Sequence, residues 1–186
     1  MDSENRVGAG PWFALRVRSK HEQVTSRYLH NLGYDHFAPT YKASTQWSDR
    51  KKTADHFLFP GYVFCRMNPT NRLPVLTTPG VVDVVGFGGG PTSIPDQEIE
   101  QVRAMVRSGQ LVRPWPYLEV GQVVRLQHGP LAGLDGILVE VKGTIRLVVS
   151  IRLLQRSVAT EVDRDWASPL KRSLSSRAAS PLFMGR

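Results

Sequence analysis

Cysteine is nearly absent from the sequence: Cys65 is the only one among 186 residues, which excludes an internal disulfide and a metal site made of several cysteines. The five histidines do not fall at ligand spacing with Cys65 or with one another, so no metal site is expected. No apolar run approaches the roughly 20 residues of a membrane-spanning helix, and the opening MDSENRVGAG is too polar for a signal segment. We therefore expect a soluble, cytoplasmic protein that holds no metal or other cofactor and does not contact a membrane.

Residue combinations that carry catalysis are also missing. Cys65 lies in an apolar strand-like run, where a small buried side chain is expected rather than a nucleophile. The glycines at 88–90 are not followed by the Lys-Ser/Thr pair of a phosphate-binding loop, so they are interpreted as a turn. Asp96, Glu98 and Glu100 fall in the first turn of a predicted helix, where carboxylates complement the helix dipole. The sequence therefore predicts a protein that is not an enzyme.

Acidic residues are scarce relative to basic ones: 16 Asp and Glu against 24 Lys and Arg give a net charge of +8. The excess is unevenly distributed, with +3 in residues 1–109, +1 in residues 110–166 and +4 in residues 167–186. Half of it therefore falls at the end of the chain. Charge alone does not mark either of the predicted folded parts as a polyanion binder.

The first half of the chain predicts strands and helices in mixed order. Residues 12–18 alternate between apolar and polar side chains, as a half-buried strand does. Ser19 and Glu22 match the S-x-x-E pattern of a capping box, which predicts the start of a helix. The core-facing side of this helix is expected to carry the apolar residues at four-residue spacing, which are Val24, Tyr28 and Leu32.

Further along, segment 48–55 is charged and has no apolar period, so it is predicted to be a loop. Residues 57–67 form a predicted strand that Pro60 and Gly61 interrupt. Pro95 suits the first turn of a second long helix.

Beyond residue 110 the pattern changes. Segment 110–118 holds two prolines around Trp115, which suits a short, stiff linker. Several short strands in about fifty residues then indicate a small barrel, because closure removes exposed edges. The strand-like runs are 120–126, 136–142, 145–151 and 157–162. Residues 171–186 are basic, rich in Ser and Ala, and predicted to be disordered.

Two motifs stand out. Residues 57–64 hold four aromatic side chains around Pro60-Gly61; they form either an aromatic core strand or, in part, an apolar pocket for a partner helix. The second motif predicts a strand, a tight turn and the start of the next strand. Each of its glycines is expected either to adopt a positive φ or to allow a close approach of neighbouring atoms. Its turn residues are Gly129, Pro130, Gly133 and Gly136.

Together, L-F-P-G-Y-V-F and V-x-R-x-x-x-G-P-L-x-G-x-x-G resemble the NusG family of transcription elongation factors. The segments W-F-A-L-R-V-R, T-P-G-V-V and I-P-D-Q-E-I are similar to that family as well, and the resemblance covers about residues 11–170. It implies an α+β fold with an N-terminal NGN domain, an α/β sandwich around an antiparallel four-stranded sheet, and a C-terminal SH3-like KOW barrel. The expected division of the chain is a disordered start 1–10, the NGN domain 11–109, a linker 110–118, the barrel 119–170 and the tail 171–186.

The resemblance also implies binding sites. In the family, an apolar NGN pocket grips the clamp helices of the largest RNA polymerase subunit, and here the matching residues are Phe59, Pro60, Gly61, Tyr62, Phe64, Val84 and Phe87. Asn71 and Arg72 match the helix that touches the polymerase gate loop in specialised members, although the His-Thr-Thr of RfaH is missing. Upstream DNA is expected near Arg18, Lys20 and Arg27, whose charges are equally consistent with a solvated helix face.

In the late barrel, Leu153 and Leu154 stand within the segment where housekeeping members carry Phe-Gly-Arg. This resembles the UpxY-like and RfaH-like antiterminators associated with surface-polysaccharide operons. The implied protein is a monomeric antitermination factor that reduces pausing, with a small-subunit ribosomal protein or a termination factor on the barrel and contact to DNA or nascent RNA. The leucines either form a docking edge or fill the barrel.

Two alternatives stay open. One is a ribosome- or RNA-binding KOW protein, although the predicted barrel carries almost no net charge. The other is a regulator whose barrel segment folds as helices against the pocket, as in RfaH. The β-branched runs at 136–139 and 148–151 favour strands instead.

Overall fold

A computed structural model describes residues 10–47, 50–118 and 121–170. The predicted disordered tail 171–186, and all but the last residue of the predicted disordered start, lie outside the described residues. The α-helices are α1 Glu22–Asn31, α2 Leu73–Leu76 and α3 Asp96–Arg107. The strands of the N-terminal half are β1 Trp12–Val17, β2 His36–Phe37, β3 Thr40–Trp47, β4 Arg50–Phe57, β5 Tyr62–Arg66, β6 Val81–Val84, β7 Gly86–Phe87 and β8 Gly90–Pro91. Those of the C-terminal half are β9 Arg113–Trp115, β10 Gln122–Leu126, β11 Asp135–Val141, β12 Thr144–Ile151, β13 Arg156–Glu161 and β14 Ala167–Pro169.

An antiparallel four-stranded sheet in the order β2-β5-β1-β6 organises the N-terminal half. Alternation along its strands sends side chains to two separate apolar clusters. On one face, Phe13, Leu15 and Val63 pack with Leu29 of α1 and Val75 of α2. On the other, Trp12, Ala14 and Phe64 pack with the buried side of α3, which is formed by Ile99, Val102 and Met105. We call this second face the α3 face.

The C-terminal half forms a six-stranded antiparallel sheet in the order β14-β10-β11-β12-β13-β9. Alternate side chains of its strands point to a common interior, and Leu126, Leu147 and Val158 are fully buried there. We refer to it as the barrel. The α+β class and the small C-terminal barrel predicted from the sequence are confirmed, and residues 122–126, 135–141, 144–151 and 156–161 are strands rather than helices.

The prediction of a loop over 48–55 is wrong for residues 50–55. Strand β4 pairs with β3 in a two-stranded sheet, in register from Thr40 opposite Phe57 to Trp47 opposite Arg50. The hydrogen bonds that pair two antiparallel strands join main-chain groups, so residues without an apolar period can form them. The absence of an apolar period therefore did not exclude a strand.

The prediction of which residues form the inner face of α1 is also wrong. Val24, Tyr28 and Leu32 are 39%, 46% and 47% exposed, and the capping residue is His21, whose side chain makes no cap hydrogen bond. The buried residues of the helix are Glu22, Thr25 and Leu29.

Polar residues occupy the inner face of α1 because the fold supplies them with partners. The carboxylate of Glu22 accepts a hydrogen bond from the backbone N–H of Gly61, at 2.8 Å. The hydroxyl of Thr25 donates to the carbonyl of Pro79, at 2.9 Å. Both partners come from distant parts of the chain, so the helix sequence contained no sign of them.

Candidate protein-binding site

The aromatic motif forms a turn between β4 and β5. Gly61 has φ +84°, and a Cβ placed there would meet no atom within 4 Å, so the backbone conformation is what requires glycine. The turn is closed by the N–H of Tyr62, which donates to the carbonyl of Phe59 at 3.1 Å. It is fixed to the body of the domain where the N–H of Val17 donates to the carbonyl of Gly61, at 2.9 Å.

Two of the predicted pocket residues are core residues in this structure. Phe59 is 1% exposed and Phe64 is fully buried, and their rings pack edge to face with centroids 5.2 Å apart. Both belong to the cluster on the α3 face, and that cluster also contains buried residues of the barrel. The two sequence interpretations of this motif, core strand or apolar pocket, are therefore not exclusive.

The structure separates the other predicted pocket residues. Tyr62 is half-buried at the edge of the α3 face, and Phe87 is 73% exposed on the β7–β8 hairpin. Val84 lies opposite Leu15 in the β1–β6 register and packs against the cluster of α1 and α2, on the other face of the sheet from Phe64. It therefore does not lie beneath Phe59 and Phe64.

Arg72 and Val84 come together in a groove between α2 and the β7–β8 hairpin, which Leu76, Asp83 and Pro91 also line. Asn71 ends the short 3₁₀ turn that precedes α2, and both Asn71 and Arg72 are exposed. The predicted gate-loop residues therefore neighbour the hairpin that carries Phe87.

The three residues predicted to face DNA are all exposed. Arg18 and Lys20 lie on the connection between β1 and α1, and Arg27 is on the helix. Glu22, the acidic residue of α1, is buried and bonded to Gly61. The exposed charged side chains of α1 and of the connection before it are therefore basic.

In the barrel, the glycines of the second motif have the predicted backbone roles. Gly129 and Gly133 have φ +79° and +86° in the turn between β10 and β11, and Pro130 is exposed between them. A Cβ on Gly129 would lie 2.5 Å from the ring of Trp166. Gly136 is a close-approach position, since a Cβ there would lie 2.8 Å from the carbonyl oxygen of Val148. These residues shape the barrel.

The contact between the two halves of the chain was not predicted from the sequence. Glu98, on the first turn of α3, is 5% exposed. Its carboxylate accepts hydrogen bonds from the backbone N–H of Arg152 at 3.0 Å and from the Nε of the same residue at 2.7 Å. Nearby, the side-chain amide of Gln101 donates to the backbone carbonyl of Asp135 at 3.2 Å.

The contact extends to the aromatic turn. The guanidinium of Arg156 stacks over the ring of Tyr62, 5.2 Å from its centroid. Leu153 and Leu154, on the 3₁₀ turn between β12 and β13, are half-buried against a cluster that contains core residues of both halves, among them Ile151 and Phe59. The barrel therefore lies over α3 and reaches the proposed pocket. Acidic residues at a helix start and a Leu-Leu pair in a loop gave no sign of this pairing.

The described residues include no metal-binding group, and the thiol of Cys65 is buried. Within the described ranges, no three His, Cys, Asp or Glu side chains are grouped closely enough to hold a metal ion. Burial raises the pKa of the Cys65 thiol to about 12, so the thiolate is not formed at neutral pH. None of the three described helices is both long and apolar enough to cross a membrane.

Comparison with known proteins shows which family this sequence resembles. The family model "Transcription termination factor nusG" matches residues 10–103. The chain is 30% identical over 158 residues to the transcription termination/antitermination protein NusG of Buchnera aphidicola, covering 81% of this chain and 87% of that protein. The protein of the same name from Lactococcus lactis is 31% identical over 131 residues, covering 67% and 69%. The Escherichia coli protein of that name is 28% identical over 153 residues, covering 78% and 83%.

A solved structure described as "Domain interaction in Thermotoga maritima NusG" superposes with a TM-score of 0.48 at 19% identity, covering 87% of this chain and 97% of the other.

Proposed function

The chain belongs to the NusG family of transcription termination and antitermination proteins, and on that basis we propose that it binds RNA polymerase through the N-terminal half and a second protein through the barrel. Its action is binding rather than chemistry. The protein holds the clamp helices of the largest polymerase subunit. It binds the elongating state of the polymerase more tightly than the paused state, and it therefore favours elongation.

The observation that supports this proposal is the aromatic turn at 59–62. Phe59 is held in an apolar cluster, while Tyr62 lies half-buried at its edge, next to Phe59 in a turn that backbone hydrogen bonds fix. In this proposal a docking amphipathic helix contacts the ring of Tyr62, whose position the turn fixes, and Phe59 supports that ring from within the cluster. Phe87, on the exposed hairpin, and Asn71 and Arg72 beside the α2 groove form a second part of the proposed contact, separate from Tyr62.

The proposed units are a polymerase-binding domain 11–109, a linker 110–118 whose residues 113–115 pair with β13 as strand β9, and a partner-binding barrel 119–170. We place the protein among the specialised UpxY-like and RfaH-like members, serving particular operons such as those for surface polysaccharides. The barrel's partner, a small-subunit ribosomal protein or a termination factor, contacts Leu153 and Leu154. Arg18, Lys20 and Arg27 face the upstream DNA in the cytoplasm.

A capture experiment with RNA polymerase tests the proposal. Tyr62→Ala and Phe87→Ala are combined, because Phe87 is largely exposed and Tyr62 is half-buried, so truncating them removes less core packing than truncating Phe59 or Phe64 would. We expect the double variant to recover much less polymerase from native lysate than the natural chain does. Tyr28→Ala is the matched control, since Tyr28 is a 46% exposed aromatic on α1, outside the proposed surface.

Equal recovery of polymerase by the double variant and the control would contradict the assignment of this surface. Recovery of ribosomal proteins or RNA without polymerase subunits would instead favour a ribosome- or RNA-binding KOW protein.

A further inference from the structure

A groove on the barrel holds basic and aromatic side chains that the proposed function does not use. Arg113 and Trp115 stand two residues apart on β9, so their side chains point to the same side of that strand. Arg146 of β12 lies opposite Glu161 of β13 in the same sheet. The cavity between these side chains measures about 520 Å³, a size that suits a small planar group better than a helix of a partner protein. Its other lining residues are Gln110, Leu111, Pro114, Ala159 and Thr160.

Two planar groups form a stack in this groove. The guanidinium of Arg146 lies over the indole ring of Trp115, 5.2 Å from its centroid. The same guanidinium donates a hydrogen bond to the carboxylate of Glu161 at 3.0 Å, which fixes its orientation. The side chain of Arg146 is 21% exposed and Trp115 is half-buried, so both planes are held in place before a ligand binds. Unpaired nucleobases stack on aromatic rings and on guanidinium planes of this kind.

Arg113 supplies the groove with a positive charge that is not neutralised. The residue is exposed and forms no salt bridge with any residue that the structure describes. The groove therefore carries two guanidinium groups against the single carboxylate of Glu161. A guanidinium keeps its proton at every physiological pH, and its planar N–H groups match the oxygens of a phosphate. This charge is complementary to the backbone of a nucleic acid.

Hydrogen-bond acceptors in the groove favour RNA over DNA. The side chain of Glu161 is 68% exposed, and its bond to Arg146 occupies the Oε1 oxygen. The amide of Gln110 also lines the groove. A carboxylate close to phosphates repels them, unless the ligand offers it a hydrogen-bond donor. The 2′-hydroxyl of ribose is such a donor, and deoxyribose lacks it.

We infer that this groove binds single-stranded RNA. A base extends the stack of Arg146 and Trp115, a neighbouring phosphate pairs with Arg113, and a ribose hydroxyl donates to Glu161. The inference rests on the function proposed above for the source of that RNA, which is the nascent transcript of the polymerase held by the N-terminal half. A chain attached to both the enzyme and its transcript has a higher effective concentration at each of them.

Fluorescence anisotropy with a labelled oligouridylate of about 12 nucleotides tests the groove on the full chain without polymerase. We expect Trp115→Ala to lower the affinity about 5- to 150-fold, because a stacking partner is lost. Arg113→Gln should lower it several-fold and reduce the slope of log affinity against log salt by about 0.7, since one phosphate contact is lost. Arg113 is exposed, so this second variant keeps the test valid if Trp115→Ala does not fold.

Lys142→Gln is the matched control for charge. Lys142 is an exposed residue on the turn between β11 and β12 and does not line the groove. Its replacement removes the same single charge from the barrel and should leave both the affinity and the salt slope close to those of the natural chain. An equal loss of affinity in Lys142→Gln and Arg113→Gln would overturn the inference, because it would show binding to surface charge in general.

An oligodeoxyuridylate of the same length tests the preference for RNA. The natural chain should bind it more weakly than the oligouridylate, and Glu161→Ala should reduce that difference. Equal affinity of the natural chain for both oligonucleotides would overturn the assignment to RNA. No binding of either at about 50 mM salt would overturn the groove as a nucleic-acid site. Capture of a protein that Trp115→Ala fails to capture would then identify the groove as a protein-docking site.

The failure of this inference can be distinguished from the failure of the proposed function. Polymerase is absent from the RNA-binding measurements, so their result does not depend on the polymerase-binding surface. We expect Trp115→Ala to capture as much polymerase as the natural chain, and the Tyr62→Ala/Phe87→Ala double variant to bind the oligouridylate as the natural chain does. RNA binding without any capture of polymerase would contradict the proposed function and leave the groove as an RNA site.

Discussion

The carboxylate of Glu22 accepts a hydrogen bond from the backbone N–H of Gly61 at 2.8 Å, although the two residues lie 39 positions apart. The contact joins the first turn of α1 to the aromatic turn. The side chain is 4% exposed, and its second oxygen has no hydrogen-bond partner among the described residues. The position of the proposed polymerase-binding turn thus depends on a buried acid on the opposite side of the sheet.

Replacing Glu22 should therefore affect both stability and the turn. We expect Glu22→Ala to lower the free energy of unfolding by about 1–3 kcal/mol, because the Gly61 N–H loses a charged acceptor. Glu22→Gln should cost less, since its amide oxygen can still accept that bond. Urea denaturation followed by circular dichroism measures both. Glu161→Ala, at an exposed barrel position, is the control and should change the free energy of unfolding little. Equal stability of Glu22→Ala and this control would contradict the role of the contact.

The barrel turn allows a matched pair of glycine substitutions. Gly129 and Gly133 both have positive φ, so alanine introduces similar backbone strain at either position, roughly 1 kcal/mol. At Gly129 the new methyl would also lie 2.5 Å from the Trp166 ring, while at Gly133 no atom lies within 4 Å. We expect Gly129→Ala to lower the thermal unfolding midpoint clearly more than Gly133→Ala. An equal decrease of the unfolding midpoint in both variants would show that the Trp166 ring moves aside without lowering the stability.

Barrel stability should depend on pH through Arg125 and Asp135. The guanidinium of Arg125 donates two hydrogen bonds to the carboxylate, at 2.6 and 2.8 Å, and these lower the pKa of Asp135. A lowered pKa in the folded state stabilises the protein above the unfolded value of about 3.9, and this contribution disappears as the pH falls through the folded value. Arg125→Gln should thus lower the unfolding midpoint at pH 7 by a few degrees at most. The difference from the natural chain should shrink steadily below about pH 4. A difference that stays constant down to pH 2 would contradict this origin.

The sequence predicted strand and helix identity well where apolar periodicity and turn residues agreed. The barrel strands and α3 are examples, because each has an apolar side facing a single core. For α1, periodicity alone selected Val24, Tyr28 and Leu32, whereas burial was decided by partners outside the helix. Hydrogen bonds from Gly61 and to Pro79 made Glu22 and Thr25 inner residues. No pattern within a helix contains that information.

The residues of the candidate site could be predicted from the sequence, but their arrangement in space could not. The aromatic turn and the glycine turn were both evident from composition and spacing. That Val84 faces away from Phe64 follows from the strand register, which a one-residue shift would reverse. The pairing of Glu98 with Arg152 depends on how two separately folded units dock, and each residue alone resembles an ordinary surface charge.

Strand β9 has a consequence for how far the halves can separate. Residues 113–115 pair with β13, so the connection between the end of α3 and the barrel is only residues 108–112. Five extended residues span at most about 18 Å. When both partners are bound, the points where the two halves join this connection can therefore be no farther apart than that distance. A larger separation requires the pairing of β9 with β13 to break, which lengthens the connection. Inserting a flexible spacer after residue 109 would relax this distance limit and leave both binding surfaces unaltered.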